Sequence, residues 1–181
     1  MTDHLKLQYE RQQFTNGYQL IDGVAKHLEY GDQFQIPPDV LKKHIRPGHF
    51  VELRIDSSRF SVHQDTAEKC YCPSCHGEAS KPILRHEQPG SLVPLPVQTI
   101  PARGWGEDFW VSVTRRDDSF LLGTVDNPLV ESRLHGLNSG DDVIFDENHI
   151  LAIHDTHRLD LVREMDADDL KRLAQWLNRS S

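Results

Sequence analysis

This sequence lacks the raw material for several kinds of protein. No run approaches the ~18 consecutive apolar residues that a membrane-spanning helix needs. Met1–Phe14 contains no apolar stretch, which predicts no ordinary signal peptide and a cytoplasmic location. Three cysteines in 181 residues are too few for a disulfide-built scaffold. A chain of this length buries a core without one. Apolar residues are sparse too. They make up 37% of the chain, or roughly 41% with Gly counted and Tyr omitted, against ~45–50% in average globular proteins. Basic residues are in deficit: 20 Lys and Arg face 28 Asp and Glu, for a net charge of −8. That balance argues against tight non-specific nucleic-acid binding. No Gly-x-Ser-x-Gly, His-Glu-x-x-His, Walker A or dinucleotide fingerprint is present, and no internal repeat.

What is present divides unevenly. The length suits a single domain over residues 1–181. Residues 1–106 hold 12 acids and 12 bases, while residues 107–181 hold 16 acids and 8 bases and so carry the whole −8. The acidic part is either a solvated face or a surface for a basic protein partner.

Residues 1–48 read as a helical N-terminal part. Leu20, Ile21, Val24, Ala25 and Leu28 follow helical spacing over 17–30, with Gly31 as a stop. Val40, Leu41, His44 and Ile45 give a short helix after Pro37-Pro38. From His49 the period becomes two, which predicts a strand over 49–56. Regular structure resumes with strands 109–114 and 119–125, joined by a turn at 115–118, and with short strands 142–145 and 150–154. Together 107–155 reads as a β-meander of about four strands. Asp166 as N-cap and the Leu170, Leu173, Ala174, Leu177 stripe predict a C-terminal helix within 165–179, packed on the sheet. The predicted fold class is α+β: a small antiparallel meander or partly open barrel with N-terminal helices, a Cys/Pro-rich insertion at 57–106 and a C-terminal helix.

The insertion is too long for an ordinary loop, so something must organise it. Six of the ten prolines lie between Pro73 and Pro101, and all three cysteines stand at Cys70, Cys72 and Cys75. Cys72-Pro73-Ser74-Cys75 resembles half of a zinc knuckle, although His76 stands where such knuckles usually have Gly. Zinc in a structural site takes four N/S ligands. Three thiolates are at hand. His76 is the nearest fourth ligand, and His86 and His63 are the alternatives. Cys72-Pro-Ser-Cys75-His76 also matches the c-type haem attachment motif, and Cys72 with Cys75 matches a thiol–disulfide pair. Reduced, unliganded cysteines are the plainest alternative.

Histidine is abundant, at 11 residues. His149, His154 and His157 cluster near the end of the meander around Asp155. They read either as exposed loop histidines or as a second metal set, with Asp155 or Asp126 as base. Asp126-Asn127 reads more simply as a polar turn ending a strand. Trp105, Phe109 and Trp110 read as core aromatics or as the lining of a groove.

Pro47–Leu53, Gly106–Val113, Leu122–Pro128, Ser139–Phe145 and His149-Ile150 occur in an order that resembles a bacterial family of unknown function, the YegJ-like domain. The resemblance covers residues 46–153, apart from the cysteine-bearing insertion. It implies a small β-rich, non-enzymatic module, of a kind that accompanies bacterial toxin–immunity loci. The leading expectation is therefore a cytoplasmic, zinc-stabilised binding or regulatory module, with an immunity protein as one form. A metal-dependent hydrolase, its metal held by the Cys70, Cys72 and Cys75 cluster or by His149, His154 and His157, is the main alternative, and a haem or thiol redox protein through Cys72, Cys75 and His76 is the third.

Overall fold

The computed structural model describes residues 4–57 and 106–179. The strand read at 49–56 is β2 (Phe50–Ser57). Its inward positions Val51, Leu53 and Ile55 are fully buried, each burial worth ~1.5–3 kcal/mol. β2 pairs antiparallel on both edges. β3 (Glu107–Asp117) lies along one edge, from Phe50↔Ser112 to Ile55↔Glu107. The other edge is divided. β1 (Tyr18–Leu20) takes Ile55–Ser57, and β6 (Ala152–Ile153) takes Val51 and Glu52. β3 turns into β4 (Phe120–Val125), which turns into β5 (Asp142–Asp146). The product is a six-stranded antiparallel sheet, nearly closed and barrel-like with an unsealed seam. With its helices this is the expected α+β class.

The four-strand meander is corrected to three. After β5 a 3-10 turn, Glu147–His149, redirects the chain. The Asp146 carboxylate accepts from Asn148 N–H at 2.9 Å, and His149 Nδ1 accepts from Asp146 N–H at 3.0 Å. The fourth strand therefore crosses to β2 instead of following β5.

The first hairpin turn also moves. β3 runs on to Asp117, and the loop is Asp118-Ser119. Asp118 sits at φ 55°, a left-handed conformation that Asp tolerates. The register shifts between Val113 and Arg115, so Thr114 is a bulge residue. Bulges tighten twist and bend a strand, which helps this sheet to curl. Gly123 lies opposite. A Cβ there would fall 2.3 Å from Val111 Cγ1 and 2.7 Å from the Ser112 carbonyl oxygen.

The helix read at 17–30 starts later. Asn16 and Gly17 take positive φ, and Tyr18–Leu20 then runs extended along β2. Helix α2 (Gly23–Tyr30) begins where the Asp22 carboxylate accepts from Ala25 N–H at 2.9 Å, and it ends at Gly31 with φ 59°. Leu20 and Ile21 fit helical spacing, but strand pairing claims Leu20 and Ile21 N–H donates to Arg54 O. Ahead lies α1 (Leu5–Arg11), unmarked by apolar spacing because only Leu5 is buried. Just past it the Gln12 amide pairs in both directions with Ile144 of β5. It donates to Ile144 O at 2.8 Å and accepts from Ile144 N–H at 2.8 Å.

Helix α3 (Asp39–Lys42) follows Pro38, its N-cap. Arg116 of β3 donates to the Lys42 and Ile45 carbonyls at 3.0 Å and pairs with Glu147, tying α3 to the sheet and to the turn after β5. Short α4 (Ser132–His135) and α5 (Arg158–Arg163) lie in the connections. Helix α6 (Ala167–Arg179) starts at Asp166, whose carboxylate accepts from Asp169 N–H at 2.8 Å.

Its docking differs from expectation. The leucine stripe does not pack on the sheet: Leu170 is 42% and Leu177 51% exposed. The helix meets α3 instead. Buried Asp169 accepts from Lys43 and pairs with His44 Nε2 at 2.7 Å. Among the described residues no helix is long and apolar enough to cross a membrane.

Two outcomes follow. Gly123→Ala drives a methyl group into β3, and urea denaturation will show a loss of about 1–3 kcal/mol; an unchanged midpoint contradicts the close approach. Hydrogen bonds from Lys43 and His44 hold the Asp169 carboxyl below the ordinary carboxylate range. Its contribution is complete above the unfolded value of ~3.9 and is lost as pH falls through the lower folded value. The protection of α6 amides, relative to their intrinsic exchange rate at each pH, will fall on acidification through that window, and in Asp169→Asn it will already be low at neutral pH. Equal exchange in both proteins at neutral pH refutes docking by this carboxylate.

Candidate metal centre

Cys70, Cys72 and Cys75 lie outside the described residues, as do His63, His76, His86 and Trp105. The segment that carries them leaves β2 at Ser57 and returns to β3 at Gly106. Because Ile55 pairs with Glu107, its two ends meet at one end of the sheet.

That end is built from buried polar groups. The Glu107 carboxylate accepts from the Glu131 N–H at 2.9 Å and from the Val130 N–H, and it pairs with His135 Nε2 at 3.3 Å. His135 Nδ1 accepts from Leu137 N–H at 3.1 Å, so the neutral ring carries its proton on Nε2 and donates it to Glu107. Burial pushes the Glu107 carboxyl up, but His135 and the two backbone N–H groups outweigh it and hold it low. The Tyr18 ring meets His135 edge-on at 5.4 Å. Burial first, then Asp56, Glu131 and Glu107, push its phenol far up, so it stays protonated. Arg54 pairs with Asp108 at 2.7 Å, and both Arg54 and Asp56 are buried on the outer face of β2. Glu107 and Tyr18 hold the connection between β4 and β5 against the sheet.

The structure separates His149 from the other two histidines grouped by sequence. His149 is buried and uses both ring nitrogens, Nδ1 on the Asp146 N–H and Nε2 on the Tyr9 hydroxyl at 3.2 Å. Burial lowers its pKa. His154 is exposed, its Nδ1 2.9 Å from Thr156 Oγ1, and its ring stands edge-on to Trp110 at 5.3 Å. Asp155 is exposed and pairs with Arg158 at 2.5 Å. Asp126 is exposed at the end of β4, where its N–H donates to the Trp110 carbonyl and the Asn127 side chain accepts from the Trp110 N–H. His149 thus stands apart, the His154 and His157 rings meet edge-on at 6.3 Å, and among the described residues the three form no common ligand group. The groove reading of the aromatics divides as well. Phe109 is in the core, while Trp110 faces His154 on the opposite side of β3.

His157 instead meets residues that spacing did not single out. One potential ligand atom from each of His49, His157 and Asp160 lies within 4.8 Å of the others. Three features assemble the group. His49 follows Pro47-Gly48, with Gly48 at φ 94°, and stands just before β2, buried at 4% exposure. His157 ends the 3-10 turn Asp155–His157, and Asp160 lies three residues on, within α5. Side chains three apart on a helix share a face. That spacing was the available signal for Asp160, while only tertiary structure brings in His49. The His49 and His157 rings lie 4.7 Å apart, and Phe50 stacks on His157 at 5.7 Å. Burial is the main cause lowering both pKa values, followed at His49 by His157 and Arg46 and at His157 by His154. Both rings are therefore neutral at pH 7, the form that binds metals. Two imidazoles and a carboxylate suit zinc and its first-row neighbours.

Comparisons with protein-family models, curated proteins and solved structures found no match. Chemistry and geometry alone carry the functional argument.

Glu107→Ala tests the polar end. It strands two backbone N–H groups and a buried imidazole, and urea denaturation will show a loss of about 2–4 kcal/mol. A loss under about 0.5 kcal/mol, the range of neutral surface changes, shows that the carboxylate anchors nothing.

Proposed function

We propose that this chain is a cytoplasmic, zinc-stabilised binding or regulatory module with no catalytic activity of its own, an immunity or inhibitor protein being one form. The observation that supports it most is the position of the described residues that flank 58–105: β2 ends at Ser57 and β3 begins at Glu107, paired with Ile55, at the end of the sheet fixed by Glu107, His135 and Tyr18. A rigid scaffold that presents one long segment is how binding loops are carried. Cys70, Cys72 and Cys75 hold the zinc in that segment, with His76 as fourth ligand and His86 or His63 as the alternatives. Metal ligation supplies order where the sequence is poor in core residues.

The acidic surplus of residues 107–181 favours a basic protein as partner. Asp118, Asp126, Asp141, Asp142, Asp166 and Asp168 are all exposed there. A hydrolase centred on His149, His154 and His157, with Asp155 or Asp126 as base, is the less favoured reading, because His149 is already engaged by Asp146 and Tyr9.

The test is cobalt substitution and elemental analysis of freshly reduced, untagged protein. Bound cobalt will show thiolate charge-transfer absorption, and this band with its zinc equivalent will vanish when Cys70, Cys72 and Cys75 are changed to Ser. Protein that binds no metal through its thiols refutes the zinc reading.

A further inference from the structure

We propose that His49, His157 and Asp160 form a second, thiol-free site for a divalent transition-metal ion, which clips α5 to the start of β2. The site is independent of the cysteine-held zinc and stands on the described residues alone.

The donor set is the first argument. Two imidazoles with one carboxylate bind zinc, cobalt, nickel or ferrous iron, and three protein ligands leave positions for water. Distance is the second. Ligands ~2.1 Å from a tetrahedral ion stand about 3.4 Å apart, so atoms that all lie within 4.8 Å of one another need only a small inward movement. The third is an unmet donor or acceptor. His157 Nε2 is buried without a hydrogen-bond partner, a cost that ligation removes.

Local charge is compatible with a cation. Asp160 and Glu164 stand near His49 against Arg46, and Arg46 is engaged by Glu164 at 2.7 Å. Arg163 reaches Asp160 only at 3.8 Å and is largely exposed, so an ion displaces it cheaply. His49 pays one small adjustment. Its Nδ1 accepts from Arg46 N–H over a long 3.3 Å, which puts the ring proton on Nε2. An ion at either nitrogen ends that contact, by taking Nδ1 itself or by sending the proton there. The ligands come from separate parts of the chain, so binding restrains α5 and the turn before it against the barrel.

The experiment uses the full chain with Cys70, Cys72 and Cys75 changed to Ser, titrated with cobalt(II) and then zinc. About one equivalent of cobalt will bind with weak visible bands and no thiolate charge-transfer absorption, and diamagnetic zinc will shift the imidazole signals of His49 and His157 most. His157→Ala and Asp160→Asn will each abolish that equivalent while the circular dichroism stays native. Should the cysteine-free chain fail to fold, the same two substitutions in the natural chain will remove one equivalent and leave the thiolate band intact. Cobalt-free protein at millimolar metal, or binding that survives His157→Ala, overturns the site. Loss of the thiolate band alone bears on the cysteine-held zinc and not on this centre.

Discussion

Everything in the sheet depends on β2 being paired along both edges. β3 covers one edge from Phe50 to Ile55, and β1 and β6 share the other. An interior strand has no free backbone donors or acceptors, and its inward side chains meet the core from every direction. Val51, Leu53 and Ile55 are accordingly fully buried. Three elements far apart in sequence are placed by this one strand. The N-terminal segment reaches it through Tyr18–Leu20, and the C-terminal segment reaches it through Ala152-Ile153. The two halves of the molecule are thus joined by shared hydrogen bonds to a common backbone.

Polar groups then fix what the strands leave loose. Arg116 of β3 donates to the carbonyl of Lys42, the last residue of α3, and to that of Ile45 just beyond it. Glu107 does the reverse service for two N–H groups near α4. Asp169 holds α6 through Lys43 and His44. In each case a charged side chain on one element closes the open backbone or charge of another. A chain modest in apolar residues has used carboxylates and guanidinium groups where leucines often serve.

The strands were legible in the sequence because alternation is a local signal: Phe50–Ser57, Phe109–Val113 and Asp142–Phe145 follow from it directly. So were the stop at Gly31 and the cap at Asp166, which act over one turn, whereas the cap at Asp22 was passed over. Partner choice was not legible. Nothing near Ala152 says that it pairs with Glu52 instead of β5, and nothing near Leu20 says that Ile55 will outweigh a helical spacing. The docking of α6 misled because a leucine stripe normally marks a buried face, whereas Asp169 is the residue that is buried. The histidines show the same limit. His149, His154 and His157 are neighbours in sequence, yet His149 packs on Tyr9 away from the other two, and the candidate centre needed His49 from more than a hundred residues away. Of that centre only the His157–Asp160 spacing was open to view.

The Gln12 amide on β5 carries a consequence of another kind. A barrel with an unsealed seam exposes a row of backbone donors and acceptors, a template on which a second chain can add a strand. One side-chain amide, with a donor and an acceptor side by side, imitates a peptide group and occupies Ile144 from both directions. The seam is thereby guarded by the chain's own N-terminal segment, without the geometry of full closure. Solubility at high concentration then rests on how firmly residues 5–12 stay in place, a property of the margin of the fold and not of its core.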